Sequence, residues 1–210
     1  MTTAPIPNHV EGIWCAPDGS IVRIRPIEAA DAAFIHEFVA SLSSETRYLR
    51  FMAAVKELSG DVLDRLTRVD QQRDAALVAI LITDGADRLV GVARYAGNAD
   101  VESCDFAIVV ADDWRRRGLG SFLLTLLIDT ACARGLKRMG GDVLAINGPM
   151  GAFAKAHGFS VSPSRDEPTS LRVERRLDWV PSVSPINAAS PSRGIEISAD
   201  PCAQSIASHD

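Results

Sequence analysis

The spacing of apolar residues along the first third of the chain predicts a strand followed by three helices. Residues 20–26, SIVRIRP, alternate apolar and charged side chains, as expected for a half-buried strand that ends at a proline. Residues 28–42 then carry apolar side chains at helical spacing. Two shorter helices are predicted around residues 43–51 and 58–70, the second with Ser59 as its N-cap.

The remainder of the folded region alternates strands and helices. Residues 74–83 and 89–96 are apolar runs on either side of the turn DGAD, which is typical of two antiparallel strands in a hairpin. Strand, helix, strand, helix and strand are then predicted, in that order, at residues 103–110, 121–135, 138–146, 147–159 and 171–177. This order indicates a mixed α/β layer rather than a doubly wound parallel sheet.

Composition sets the number of domains. The chain has 210 residues, of which 47% are hydrophobic and 23% are charged, and this suits one globular domain of ordinary size. We expect an N-terminal extension at residues 1–19 and the folded domain at residues 20–179. Residues 180–210 are rich in Pro, Ser and Ala and lack a usable periodicity, so a disordered tail is expected there.

Charge and cysteine spacing limit the partners and the compartment. A net charge of −5 provides no general attraction to nucleic acid or to an anionic membrane. The N-terminus does not resemble a secretory leader and no apolar stretch reaches the ~18 residues of a membrane span, so a cytoplasmic protein is expected. The four cysteines lie far apart without a CxxC spacing, which argues for reduced thiols and against a metal site.

One loop carries the clearest chemical signal. Arg115, Gly118 and Gly120 lie in the run DDWRRRGLGS, which leads from an apolar strand into a long helix. The unpaired N–H groups of a helix start attract anions, and glycines allow a ligand to approach the backbone closely. A Walker A loop and a GxGxxG fingerprint are both excluded by the spacing. The loop is therefore a candidate cradle for phosphate groups.

The stretch FAIVVADDWRRRGLGSFLL resembles the acetyl-CoA-binding motif of the GNAT superfamily of N-acetyltransferases, in which Arg or Gln, Gly, and Gly or Ala recur at the spacing of Arg115, Gly118 and Gly120. Asn147, the following helix, and the pair Gly158 and Phe159 continue the resemblance. Over about residues 21–177, the chain is similar to the acetyltransferase domain of bacterial Pat-type protein lysine acetyltransferases. The resemblance implies the GNAT fold, a central mixed, mostly antiparallel sheet flanked by helices, with acetyl-CoA as co-substrate.

The resemblance also implies a general base. Pat-type relatives have a Glu at the position of Asp105, on the strand before the coenzyme loop. Strand alternation places Asp105 on one face with Ala107 and Val109, opposite Cys104 and Phe106. An Asp in an apolar strand is unusual. It can serve as the base, directly or through a water, or it can be a carboxylate that lies on a solvated sheet edge or pairs with an arginine.

The remaining roles that the resemblance implies concern the coenzyme. Backbone groups of three strand residues are expected to bind the pantetheine arm: Ile108, Val109 and Val110. The pyrophosphate is expected at a run of loop and helix residues: Arg115, Arg116, Arg117, Gly118, Leu119, Gly120 and Ser121. Asn147 is expected to contact the coenzyme, and Lys155 either contacts its phosphates or is solvated. Many GNAT enzymes protonate the leaving thiolate with a Tyr at the position that is Ala154 in this chain.

Three functions are compatible with these features. The first is direct transfer of acetyl from acetyl-CoA to lysine side chains of proteins, acyl-CoA synthetases among them. The second is transfer to a small amine such as a polyamine, an aminoglycoside or an amino acid. The third is a non-catalytic acyl-CoA-binding sensor, which the Asp at position 105 and the missing Tyr make conceivable.

Overall fold

The fold is given by a computed structural model that describes residues 11–70, 72–165 and 167–177. The tail expected at residues 180–210 lies outside these residues. Within the described part of the chain, no helix is long and apolar enough to cross a membrane.

A single sheet organises the described residues. Its eight strands are β1 (Gly12–Cys15), β2 (Ile21–Pro26), β3 (Ala75–Leu81), β4 (Arg88–Gly97), β5 (Ser103–Val110), β6 (Arg138–Leu144), β7 (Ser160–Pro163) and β8 (Ser170–Arg176). Their order across the sheet is β1-β2-β3-β4-β5-β6-β8-β7, and neighbouring strands are antiparallel except for β5 and β6. The predicted mixed, mostly antiparallel sheet is confirmed.

Five α-helices flank this sheet: α1 (Ala32–Ser41), α2 (Ser44–Phe51), α3 (Gly60–Thr67), α4 (Leu119–Ala133) and α5 (Gly148–Ala156). A Cβ added at Gly91 of β4 would lie 3.1 Å from Leu123, so this face of β4 packs against α4. Val92 and Arg94 alternate to the opposite face, where they border a small cavity together with residues of α1 and α3. The sheet therefore has α4 on one face and α1 and α3 on the other.

Burial in the core explains why the sequences of β3 and α4 are rich in apolar residues. Six of the seven residues of β3 are buried, because helices cover both faces of the strand. In α4, the side chains of Leu119, Leu123, Leu124 and Leu127 have no solvent exposure. Burial on this scale stabilises each leucine by about 1.5–3 kcal/mol relative to solvent exposure.

Two short strands were not predicted. β1 lies where an N-terminal extension was expected and pairs with β2, while β7 pairs with β8 at the other edge. Both have four residues, and the residues of β1 are mostly exposed, so neither carries the clear alternation of a buried strand. Helix α4 begins at Leu119, two residues before the predicted start. Ser59 is the N-cap residue of α3 by backbone conformation, but its side chain makes no capping hydrogen bond.

Candidate active site

A wedge opens in the sheet where β5 leaves β6. The two strands are paired over three residues each, Ser103–Asp105 against residues 138–140. Beyond Asp105, β5 stays paired with β4, while β6 stays paired with β8. Because the pairing between β5 and β6 stops in the middle of the sheet, one edge of β5 is left open to a ligand.

Backbone direction determines which residues face this wedge. The N–H of Ala111 donates to the carbonyl of Val90, so alternate residues of β5 counted back from Ala111, including Val109, point their backbone groups at β4. Ile108 and Val110 consequently direct their backbone N–H and C=O groups to the open edge. Val109 contributes its side chain to the cavity wall instead.

A cavity of about 870 Å³ occupies the wedge and extends across the sheet face. One half is lined by the end of β5, the start of α4 and the start of α5. The other half is lined by α2, α3 and β4. Asp105 lies between the two halves, since it belongs to β5 just where the wedge begins. A cavity of this size suits a large co-substrate and an acceptor that meet near Asp105.

The loop before α4 has an unusual backbone. Gly118 is the N-cap of α4 with φ +94°, a conformation that favours glycine, and Arg116 has φ +60° although it carries a side chain. The left-handed backbone of Arg116 costs about 1–3 kcal/mol, and strain of this kind clusters at ligand sites. Gly118, Gly120 and Ser121 line the cavity, and the first N–H groups of α4 lack a partner within the helix. The loop therefore fits an anionic group.

The three arginines of the loop point in different directions. Arg115 pairs with Asp112 at 3.1 Å and donates to the hydroxyl of Thr46, which ties the loop to α2. Arg117 pairs with Asp18 and lies 4.8 Å above the ring of Trp114. Arg116 is exposed at the cavity wall and forms no ion pair with the described residues. Only Arg116 is left with its full charge available to a ligand.

The loop is anchored by Asp112. Its carboxylate accepts from the N–H of Ser43 at 2.8 Å and from the hydroxyl of Thr46. Burial alone would raise the pKa of Asp112, but these hydrogen bonds and the charge of Arg115 outweigh it and lower the pKa. The carboxylate therefore remains charged and holds α2 against the loop before α4.

Asp105 takes part in a three-residue ion network across three strands. Its Oδ1 accepts from Arg172 of β8 at 2.6 Å, and the same guanidinium lies 3.3 Å from Asp142 of β6. Arg172 passes over Gly140, where an added Cβ would come within 2.6 Å of its Nη2. The Oδ2 of Asp105 has no hydrogen-bond partner among the described residues. Asp105 can therefore pair with arginine through Oδ1 and still act as a base through Oδ2.

Two arginines in the other half of the cavity lie close to each other. Arg50 of α2 and Arg94 of β4 both line the cavity, and neither forms a salt bridge with the described residues. Burial and the neighbouring charge of Arg94 lower the pKa of Arg50 to about 10, and burial lowers the pKa of Arg94 as well. Neither arginine is therefore neutralised by an ion pair with a described residue.

Helix α5 borders the half of the cavity that lies at the end of β5 and the start of α4. Asn147 is its N-cap, accepts from the N–H of Met150 at 3.2 Å and lines the cavity. Ala154, at the position of the Tyr found in many GNAT enzymes, has no solvent exposure and packs in the core. Lys155 is exposed and lies outside the cavity lining. Arg117 and the buried Leu119 also lie outside the cavity lining.

Sequence reasoning missed the residues that complete the cavity. Arg172 and Asp142 reach Asp105 only through the pairing of β6 with β8, a pairing that no local pattern reveals. Arg94 was missed as well, although a charge at an otherwise apolar strand position was the available signal. Among the described residues, no group of three or more His, Cys, Asp or Glu side chains could hold a metal ion.

These features match a known family. The sequence profile of the acetyltransferase (GNAT) family matches residues 38–159, which include α2, the wedge, α4 and α5. The chain belongs to this family, and it is an acetyltransferase that uses acetyl-CoA. The resemblance inferred from the loop and its flanking elements is thereby confirmed.

Individual relatives are similar over most of the chain. The acetyltransferase PA5475 of Pseudomonas aeruginosa is 37% identical over 160 residues, which cover 76% of this chain and 85% of that protein. The acetyltransferase Pat of Mycolicibacterium smegmatis is 31% identical over 146 residues, 68% of this chain but 40% of Pat. The solved GNAT domain of S. lividans PAT superposes with a TM-score of 0.72 at 27% identity, covering 83% of this chain and all of that domain.

Proposed function

We propose that the protein transfers acetyl from acetyl-CoA to lysine side chains of protein substrates, with residues 20–179 as its catalytic domain. The observation that carries the proposal is the position of Asp105, at the point where β5 leaves β6 and between the two halves of the cavity. The similarity to two Pat proteins supports a protein acceptor. Acyl-CoA synthetases are the first substrates to test.

Asp105 acts as the proton acceptor. At neutral pH only about one lysine in a thousand is uncharged, because its reference pKa is near 10.4, so the amine must lose a proton before it can attack. The Oδ2 of Asp105 accepts this proton, directly or through one water, while Arg172 holds Oδ1 and fixes the carboxylate plane. A bond then forms between the amine nitrogen and the acetyl carbon, the bond from that carbon to sulfur breaks, and CoA leaves as the thiolate. The second proton that the nitrogen loses on becoming an amide passes to solvent water.

The chain's own backbone provides the remaining assistance. An N–H of Ile108 or Val110 on the open edge of β5 is placed to donate to the oxygen that becomes negative during transfer. The N–H groups of residues 116–121 and the guanidinium of Arg116 bind the pyrophosphate. Arg115 and Arg117 contribute by holding the loop through Asp112 and Asp18, and Asn147 shapes the wall of the coenzyme half.

No side chain at position 154 protonates the leaving thiolate in this account. Ala154 is fully buried, and Lys155 is directed to solvent outside the cavity lining. The thiol of CoA is acidic enough to leave as the thiolate, so the reaction proceeds without a dedicated acid. Cys104 takes no part either, because burial raises the pKa of its thiol to about 12 and it lies on the other face of β5.

The test is acetyl-CoA-dependent acetylation, followed by mass spectrometry of the acceptor and by release of CoA. Acyl-CoA synthetases and other proteins with exposed lysines are incubated in parallel with a panel of small amines. We expect lysine acetylation at defined sites that is lost in Asp105→Asn and kept in Asp113→Asn, whose carboxylate is exposed and paired with Arg88 at 2.6 Å. Transfer to small amines alone would contradict the protein acceptor, and binding of acetyl-CoA without any transfer would favour a sensor.

A further inference from the structure

Arg50 and Arg94 form a pair of like charges in the wall of the cavity. Arg50 has a buried Nε that lacks a hydrogen-bond partner among the described residues, and its guanidinium lies 5.2 Å from the ring of Phe51. Arg94 has a single weak contact, from Nη1 to the carbonyl of Leu66 at 3.5 Å. The charge of Asp74 acts on Arg94 from a distance, but neither guanidinium forms a salt bridge with a carboxylate of the described residues.

Such a pair is costly unless something else supplies negative charge. A guanidinium has five N–H donors, and leaving a buried donor unpaired costs about 1–3 kcal/mol or more for a charged group. Burial, and to a smaller extent repulsion by the adjacent charge of Arg94, lower the pKa of Arg50 to about 10. Replacement of either arginine by an uncharged residue would relieve this cost, so packing alone does not account for the pair.

The position of the pair relative to Asp105 defines what could bind there. In the β4 and β5 register, Ala96 is opposite Asp105 and Arg94 is opposite Ala107. Arg94 and Asp105 are therefore diagonal neighbours on one face of the sheet, with Cα atoms about 7–8 Å apart. A ligand between them meets a carboxylate at one end and the arginine pair at the other.

We propose that Arg50 and Arg94 bind a carboxylate of the acceptor, so that the preferred acceptor carries an acidic group within a few ångströms of its reactive amine. This inference rests on the proposed function, because it takes the amine to be at Asp105. Planar guanidinium groups match carboxylates with two parallel hydrogen bonds, and the pair offers two such forks. The carboxylate belongs either to an amino acid or to a Glu or Asp beside the target lysine of a protein.

Direct binding provides the first test. Unfolding temperatures are measured with saturating CoA present, so that the coenzyme loop is occupied, and with glutamate or succinate as probes. Glutamine and succinamide are the uncharged counterparts. We expect the carboxylates to raise the unfolding temperature by about 3–6 °C at ten times their Kd, and the amides to have no effect. Arg94→Gln and Arg50→Gln should abolish this rise, whereas Arg68→Gln, an exposed arginine paired with Asp64 on α3, should keep it.

Transfer provides the second test and separates the two sources of the carboxylate. Free amino acids are compared with their amides, and lysine peptides flanked by Glu are compared with peptides flanked by Gln. We expect at least about a tenfold higher kcat/KM for the acidic member in whichever set is acetylated, reduced to about equality in Arg94→Gln. Acetylation of the amino acid set alone would identify a small acceptor, and acetylation of the peptide set alone would identify a protein.

The outcomes distinguish this inference from the proposed function. Acetyl transfer with equal rates for acidic and amide acceptors, and no stabilisation by glutamate or succinate, would overturn the carboxylate subsite and leave the acetyltransferase assignment intact. Stabilisation by carboxylates that depends on Arg94, with no transfer to any amine, would support the subsite and contradict the proposed acceptor chemistry. Because each substitution removes a half-buried charge that forms no salt bridge with the described residues, we expect neither Gln variant to unfold at a lower temperature than the unsubstituted protein.

Discussion

Replacing Gly118 by alanine tests whether the loop before α4 needs glycine because of its backbone conformation or because a Cβ would not fit. Gly118 has φ +94°, and an added Cβ would meet only Trp14 Cζ2 at 3.7 Å, an ordinary contact. The cost of Gly118→Ala is therefore the cost of a left-handed backbone for a residue with a Cβ, about 1–2 kcal/mol, less a small gain from a stiffer unfolded chain. We expect a net loss of about 1 kcal/mol, which is about 2–4 °C in Tm for a protein of this size.

Gly120→Ala is the matched control in the same loop. Gly120 lies in the first turn of α4 without a positive φ, and its added Cβ would meet Phe153 and Val110 at 3.7 Å. Alanine is a better helix former than glycine by about 0.5–1 kcal/mol, so the variant should be slightly more stable than the unsubstituted protein. The two alanine variants should therefore differ from each other by about 2 kcal/mol in the free energy of unfolding.

Acetyl-CoA affinity completes the comparison. Gly118→Ala should raise the Kd by about tenfold or more, because alanine disfavours the left-handed turn that aims the N–H groups of α4. Gly120→Ala should change the Kd by less than about threefold, since the resembling motif accepts Gly or Ala at this position. Calorimetric titration and thermal unfolding of both variants measure these effects. A Gly118→Ala variant as stable as the unsubstituted protein, and as tight in its binding, would refute the reasoning.

Three further predictions concern the rest of the fold and the site. Burial alone would raise the pKa of Asp31, but hydrogen bonds from Arg25 and from the N–H of Glu28 outweigh it and lower the pKa. The charged Asp31 therefore contributes its full stabilisation above about pH 4, and this contribution is lost as the pH falls through the lowered pKa. In acid titrations, the free energy of unfolding should consequently decline less in Asp31→Asn than in the unsubstituted protein. Cys104 should resist iodoacetamide at pH 8 while the exposed Cys15 reacts, as peptide mass mapping would show; equal labelling would contradict the burial of Cys104. Leu123→Ala should lower the free energy of unfolding by about 2–5 kcal/mol in denaturant titrations, because its side chain is fully buried against β4, and a loss below about 1 kcal/mol would contradict that packing.

The sequence was sufficient for most of the fold because the principal elements have strong local patterns. β3 is a continuous apolar run, α4 ends before Gly135 with φ +77°, and Pro26 closes β2. The short edge strand β1 could not be predicted, since four mostly exposed residues bury too little apolar surface to leave a pattern. Its place is defined by pairing with β2, a contact between distant backbone groups.

The candidate site likewise contains some residues that could be predicted from the sequence and others that could not. The motif that carries Gly118 and Gly120 is local, so residue spacing was enough to locate it. The partner of Asp105 is Arg172, 67 positions further along the chain, and their contact depends on the order β5-β6-β8 and on the absence of a side chain at Gly140. The position of Arg50 and Arg94 along one cavity depends likewise on how α2 lies against the sheet. Tertiary contacts of this kind leave no signal in the spacing of residues.

A crystal structure of the protein with bound CoA tests the central claim most directly, namely that the open edge of β5 beyond Asp105 is the coenzyme site. The account predicts pantetheine along Ile108 and Val110, the pyrophosphate within about 3 Å of backbone N–H groups of residues 116–121, and the thiol near Asp105. CoA bound away from the wedge, or a complex in which β5 and β6 close into continuous pairing beyond Asp105, would contradict it.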